Sequence, residues 1–247
     1  LVRSLAVAAG WIIAASAIYF VWQFPAWVAW ALFLLALLTW VRWTWSILAE
    51  IVRRRTAPPM PGLGWPFLVV AIAADTIILA TAAIARTDDG LISPWQVLPI
   101  ALFGLYFLGT LFVLFSLPNI HAKYRLPLAI LHTFVTYSMS LIVYKLGFGF
   151  DPFVHEAATN YIVQHGSIEP KTPFYIGQYV LVAGVHHLLG LSVSLIQIWL
   201  LPLLASVLLP CVLAFDARRP YWIAWVLPFA YFTITVPFSL GLLGLIL

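Results

Sequence analysis

Seven long apolar runs, separated by turns too short to fold on their own, constrain this chain more than any other feature. A helix rises about 1.5 Å per residue, so about 20 apolar residues cross a hydrocarbon layer ~30 Å thick. The runs lack the strict alternation that a membrane barrel would need. With 64% hydrophobic and 8% charged residues and a mean hydropathy of +1.05, the chain reads as all-α, a polytopic membrane helix bundle. Its net charge of +4 lies between the runs, as topology signals do, and nothing in its arrangement suggests nucleic acid as a partner. The single cysteine, Cys211, sits inside an apolar run, which excludes a disulfide framework and a cysteine metal site.

The runs fall at residues 5–22, 25–51, 65–85, 96–117, 127–146, 195–215 and 221–247. Trp22, Trp27, Trp40, Trp43 and Trp45 gather near run ends, where indole rings favour the membrane interface, and Arg42 can snorkel. Orientation follows from the short basic loops. Arg53, Arg54 and Arg55 mark a cytoplasmic turn, which makes the N-terminus cytoplasmic too. By alternation, acidic Asp88 and Asp89 fall outside, Lys123 and Arg125 inside, and the fifth run delivers Asp151 to the external face. The apolar stretch 174–191 is the one ambiguous segment. Read as a span, it would put Arg218 and Arg219 outside; read as a helix lying along the interface, it keeps them inside. The second choice obeys the charge bias, and the stretch is short, follows Pro173 and carries Gln178, Gly184, His186 and His187. Seven spans and one external loop, residues 147–194, result. The setting is a multi-pass protein of the plasma (inner) membrane, and a chain ending inside an apolar run reads as the N-terminal part of a longer protein.

That loop concentrates the chemistry. It holds Asp151, His155, Glu156, His165, Glu169, Lys171, His186 and His187 in a chain with few charges. Asp151 before Pro152 opens a helix, with the carboxylate as N-cap and proline at the first helical position; Gly166 suits its far end. N-capping is the bland reading of Asp151. The sharper one notes that Asp151, His155 and Thr159 repeat at i, i+4, i+8, with Glu156 about 100° round the helix. A carboxylate one turn from an imidazole can act as a general base or hold a cation; it is also an ordinary surface pattern.

The string GFDPFVHEAATNYIVQHG, followed by TPFYIGQYVLVAGVHHLLGLS, resembles the first external loop of the GT-C superfamily, the membrane glycosyltransferases that use polyprenyl-phosphate sugars. The first part is similar to oligosaccharyltransferase catalytic subunits, the second to protein mannosyltransferase and aminoarabinose transferase relatives. The resemblance covers about residues 143–215. It divides the chain into residues 1–126, four spans of unassigned role, and 127–247, the start of a GT-C-like module. It implies sugar transfer on the external or lumenal face, with a lipid-linked donor and membrane lipids as partners. The family aspartate falls on Asp151, where it either helps hold a divalent cation (Mg or Mn) or activates the acceptor. His155 and Glu156 join it as catalytic candidates, and Lys171, Tyr175 and His165 as substrate-binding candidates. Pro152 departs from the mannosyltransferase pattern, which has a second acidic residue there; Glu156, or else Glu169, would have to substitute.

Polar residues within the spans have competing readings. Asp75 lies mid-run, where an ionisable group is costly; it either faces a proton or ion path or pairs with another helix. His132, beside Thr133, Thr136 and Tyr137, is a ligand or, more commonly, an interhelical hydrogen-bonding group. Adjacent His186 and His187 point about 100° apart on a helix and do not form an i, i+4 ligand pair. Two other functions compete with sugar transfer: a non-catalytic GT-C-fold subunit for assembly or lipid binding, and a transporter built on Asp75. The transporter predicts an inverted repeat, and the sequence offers no convincing one.

Overall fold

The computed structural model describes residues 2–53, 64–90, 94–145, 152–171 and 175–215. They form α1 Val2–Val21, α2 Ala26–Arg53, α3 Gly64–Ile84, a 3-10 turn at Pro94–Gln96, α4 Ala101–Asn119, α5 Ala122–Val143, α6 Pro152–His165, α7 Ile176–Leu189 and α8 Val193–Phe215. Among the described residues no strand forms; one isolated bridge pairs Thr87 with Tyr144. Asp151 lies outside the described residues, as does the seventh run, 221–247.

Three helices are long and apolar enough to cross a membrane: Gly64–Ile84, Ala101–Asn119 and Tyr124–Val143. A fourth span results if Ile176–Leu189 and Val193–Val207, bent by 117°, count as one broken span. The described residues are therefore those of a helical membrane protein with three or four candidate spans. The expected runs at 5–22 and 25–51 are helical, but their apolar stretches, Val7–Val21 and Ala26–Arg42, are shorter than the other three. The run expected from residue 96 becomes a 3-10 turn first, because Pro99 lacks an amide hydrogen; α4 starts two residues later, where Leu102 N donates to Pro99 O at 2.9 Å.

Contacts group Leu1–Arg55 with Phe150–Ile198, and Thr56–Gly149 with Trp199–Leu247, so residue 126 falls inside α5 and the second unit. In the first unit, α7 packs on α1, α2 and α6 around Tyr19, Phe24, Ile162, Val180 and Ala183. Gly184 makes the α1–α7 approach possible: a Cβ there would run into the Trp11 ring. Gly166, at φ +81°, ends α6 with its N–H on Ile162 O at 2.7 Å. Its carbonyl accepts from Phe24 N at 2.9 Å, tying the α1–α2 turn to the end of α6.

The second unit is built inside out relative to a water-soluble bundle. Helix α3 buries Ala71, Ala74, Asp75, Ile78 and Ala82 while Val69 and Ile77 stay more than half exposed. Hydrocarbon solvates the large side chains, so small residues at the seam let helix backbones close up and make dispersion contacts. A Cβ on Gly109 of α4 would sit 3.3 Å from Ala74 Cβ. At one end of this unit, Thr87 N donates to Val143 O at 2.9 Å and Lys145 N to Thr87 O at 3.0 Å, a backbone stitch between the segments that follow α3 and α5. Lys145 Nζ lies 3.2 Å from Asp88 Oδ1, and that hydrogen bond is the main cause holding the exposed Asp88 carboxyl below its ordinary range.

Candidate functional sites

Helix α6 presents His155 to the first turn of α7. Its Nδ1 lies 3.0 Å from the Tyr179 hydroxyl, and its ring centroid 4.6 Å from that of Tyr175. Tyr175 is the residue ahead of α7 and adopts a left-handed φ of 62°. A bulky aromatic side chain in that region is strained by about 1–3 kcal/mol, and such strain collects at binding and catalytic positions. One turn along α6, Thr159 donates to His155 O at 2.7 Å and accepts from Gln197 of α8 at 3.2 Å. The i, i+4 spacing of His155 and Thr159 thus marks one packed polar face, whose partners Tyr179 and Gln197 lie 24 and 38 residues away and carry no local sequence signal.

The other predicted residues separate. Glu156 is half-buried on the next position of α6. His165 is exposed, stacked on Tyr161 at 4.1 Å with Nδ1 donating to Tyr161 O at 3.1 Å. Lys171 is engaged at the C-terminal end of α1, where its ammonium donates to Phe20 O at 3.3 Å and to Trp22 O. A cation is favoured there by unpaired carbonyls and the negative end of the helix dipole. Glu169 lies 3.9 Å from the same ammonium. No hydrogen bond or ring contact links Lys171 or His165 to His155 among the described residues.

A divalent cation was expected at Asp151, which lies outside the described residues. Among those described, no three His, Cys, Asp or Glu side chains converge as metal ligands. His155 Nδ1 is already on a tyrosine hydroxyl. The described residues by themselves do not assemble a cation site.

A second constellation lies in the three spanning helices. Asp75 of α3 and His132 of α5 are both fully buried, with Oδ1 and Nδ1 2.8 Å apart. The Nε2 of His132 lies 2.9 Å from Thr110 Oγ1 of α4, and the Thr110 hydroxyl donates to Tyr106 O at 2.8 Å. Tyr106 stacks on the imidazole at 5.1 Å, and its hydroxyl is 2.5 Å from Thr136, which itself donates to His132 O. The pairing of Asp75 and His132 across helices is the interhelical reading of both residues. Thr110 was missed, although a lone threonine at the centre of a greasy span was a usable signal. Comparison with family models, curated proteins and solved structures finds no match to this chain.

Proposed function

We propose that this membrane protein is a glycosyltransferase-like protein that moves a sugar from a polyprenyl-phosphate donor to an acceptor on the external or lumenal face. In this reading the full membrane region has seven spans, a cytoplasmic N-terminus and a place in the plasma (inner) membrane. The resemblance of residues 143–215 to the GT-C external loop motivates it. The observation that carries it is the 117° bend between α7 and α8, which suits a loop in which α7 is a short helix lying across the direction of α8. The contact of His155 with Tyr175 and Tyr179 beside the start of α6 gives that loop a polar, aromatic-walled face.

The chemistry needs little from the protein. Polyprenyl phosphate is already a good leaving group: the bond from the sugar anomeric carbon to the phosphate oxygen breaks, and its electron pair leaves with the phosphate. The acceptor oxygen or nitrogen forms the new bond and gives up its proton to a carboxylate, the role given to Asp151. In this reading His155, whose Nδ1 lies 3.0 Å from the Tyr179 hydroxyl, takes the proton onward, and Glu156, about 100° round α6 from it, is the second candidate.

Replacing Asp151→Asn in the full-length protein and measuring transfer from polyprenyl-phosphate sugars tests the reading. Loss of a general base lowers turnover about 10²–10⁴-fold. Unchanged transfer removes Asp151 from this role. A wild type that binds polyprenyl phosphate and transfers nothing is instead the non-catalytic, lipid-binding subunit.

A further inference from the structure

The start of α7 carries two surfaces of opposite character side by side. Ile176 and Gly177 form one wall of a groove of about 510 Å³, and Ser16, Ala17, Phe20 and Val21 of α1 form the other. The Ser16 hydroxyl donates to Ile12 O at 2.7 Å, so its hydrogen is turned back onto its own helix and the side chains of the groove offer a ligand hydrocarbon contact. Phe20 and Val21 are more than half exposed, which leaves the groove open along the side of α1.

One residue earlier stands Tyr175, half exposed, its ring 4.6 Å from that of His155 and 6.3 Å from that of Tyr179. The rings of His155 and Tyr179 are 5.8 Å apart, so all three are in mutual contact and nothing enters between them. A quaternary ammonium, which binds where several ring faces surround it, finds no cage here. What remains is the outward side of Tyr175. An aromatic face is the negative side of the ring quadrupole, and it suits the slightly positive C–H hydrogens that line the apolar side of a pyranose. Glycine or asparagine would hold the left-handed φ of 62° at lower cost, so the strain is tolerated here for the ring.

Lys171 joins the two surfaces. Its ammonium donates to the carbonyls of Phe20, a groove residue, and Trp22, and it sits 5.7 Å over the ring of Tyr19, which packs in one core with Ile176 and Tyr179. An ammonium has three hydrogens, and capping α1 takes two. Glu169 Oε1, at 3.9 Å, is beyond hydrogen-bonding reach, so among the described residues the third has no acceptor. A phosphate oxygen would take it in a charge-assisted bond. We propose that these parts form one binding site for a lipid-linked sugar, with the hydrocarbon chain in the α1–α7 groove, the phosphate at Lys171 and the sugar against Tyr175. The site rests on the sugar-transfer reading and goes beyond it by placing the donor on α1 and α7, which gives the first helix a function.

The test uses the full-length protein in lipid nanodiscs and three probes with a photoreactive diazirine on the chain: farnesol, farnesyl phosphate, and farnesyl phosphate bearing glucose. Wild type binds the glucose-bearing probe about 2–10-fold more tightly than farnesyl phosphate, the effect of one aromatic contact, and farnesyl phosphate more tightly than farnesol. Cross-links fall on residues 16–21 and 176–177. Ala17→Trp fills the groove from its exposed side and weakens all three probes about tenfold. Tyr175→Asn, which suits the left-handed backbone, removes the preference for glucose and leaves farnesyl phosphate binding unchanged. Lys171→Gln removes the preference for phosphate; should it fail to fold, the Ala17 and Tyr175 variants still decide. Cross-links spread over the other lipid-facing helices, or abolished by excess bilayer phospholipid, overturn the site in favour of ordinary lipid contact. Equal binding of the two phosphate probes to wild type overturns it too. Asp151→Asn tests the chemistry separately: Asp151-dependent transfer without this binding pattern refutes the site alone, and the binding pattern without transfer refutes the chemistry alone.

Discussion

Gly166 carries more than the end of a helix. At φ +81° it accepts Phe24 N–H, and a Cβ would come within 3.2 Å of Gln23 Cβ. Alanine there meets both the left-handed penalty, about 1 kcal/mol, and that contact. Gly166→Ala should lower the melting temperature in detergent, whereas Gly90→Ala, which has open space around it, should not. This position was legible in the sequence, because His165-Gly166 reads as a helix end and Asp151-Pro152 as a helix start; α6 spans Pro152–His165. The Asp75–His132 pair was legible only by halves. Each residue stood out as ionisable in a greasy run, but nothing local joins positions 57 residues apart.

At the scale of elements, α1 and α7 meet through a glycine pressed on an indole. Gly184→Ala should destabilise the first unit by about 1–3 kcal/mol, the usual cost of overpacking, because Trp11 must move. Combining it with Trp11→Phe should recover part of that loss, and a double-mutant cycle on thermal denaturation reads the coupling. Hydropathy located these helices but not their neighbours. The sequence placed α1 and α2 in a region of unassigned role, while their packing joins them to the helices of the resembling loop, α6 and α7. Helix–helix association in lipid depends on the shape of a seam, and the small residues of a seam and the large ones of a lipid face both count as apolar in a hydropathy profile.

For the whole molecule, α4 lies between the segment carrying Asp88 and Asp89 and the first turn of α5, which carries Lys123 and Arg125. Its 19 residues span about 28 Å, enough to put those two segments on opposite sides. In a Cys211→Ser background, Asp88→Cys should react with an impermeant thiol reagent added outside intact cells. Lys123→Cys should react only after permeabilisation. Equal labelling of both would refute the charge-derived orientation. Membrane class was readable from composition alone, whereas the number of spans depends on where helices bend, and the 117° turn at residues 190–192 has no hydropathy signature.

The stitch at Thr87 has a mechanical meaning. Two peptide hydrogen bonds lock the ends of α3 and α5 that lie nearest Asp88, while at the opposite end the two helices meet through side chains, with Trp65 against Tyr124 at 5.3 Å. Sideways separation of the two helices must therefore pivot like scissors about the locked end. The blades would part widest near Trp65, and such a swing would lengthen the contact of Asp75 with His132 before it strained the rivet.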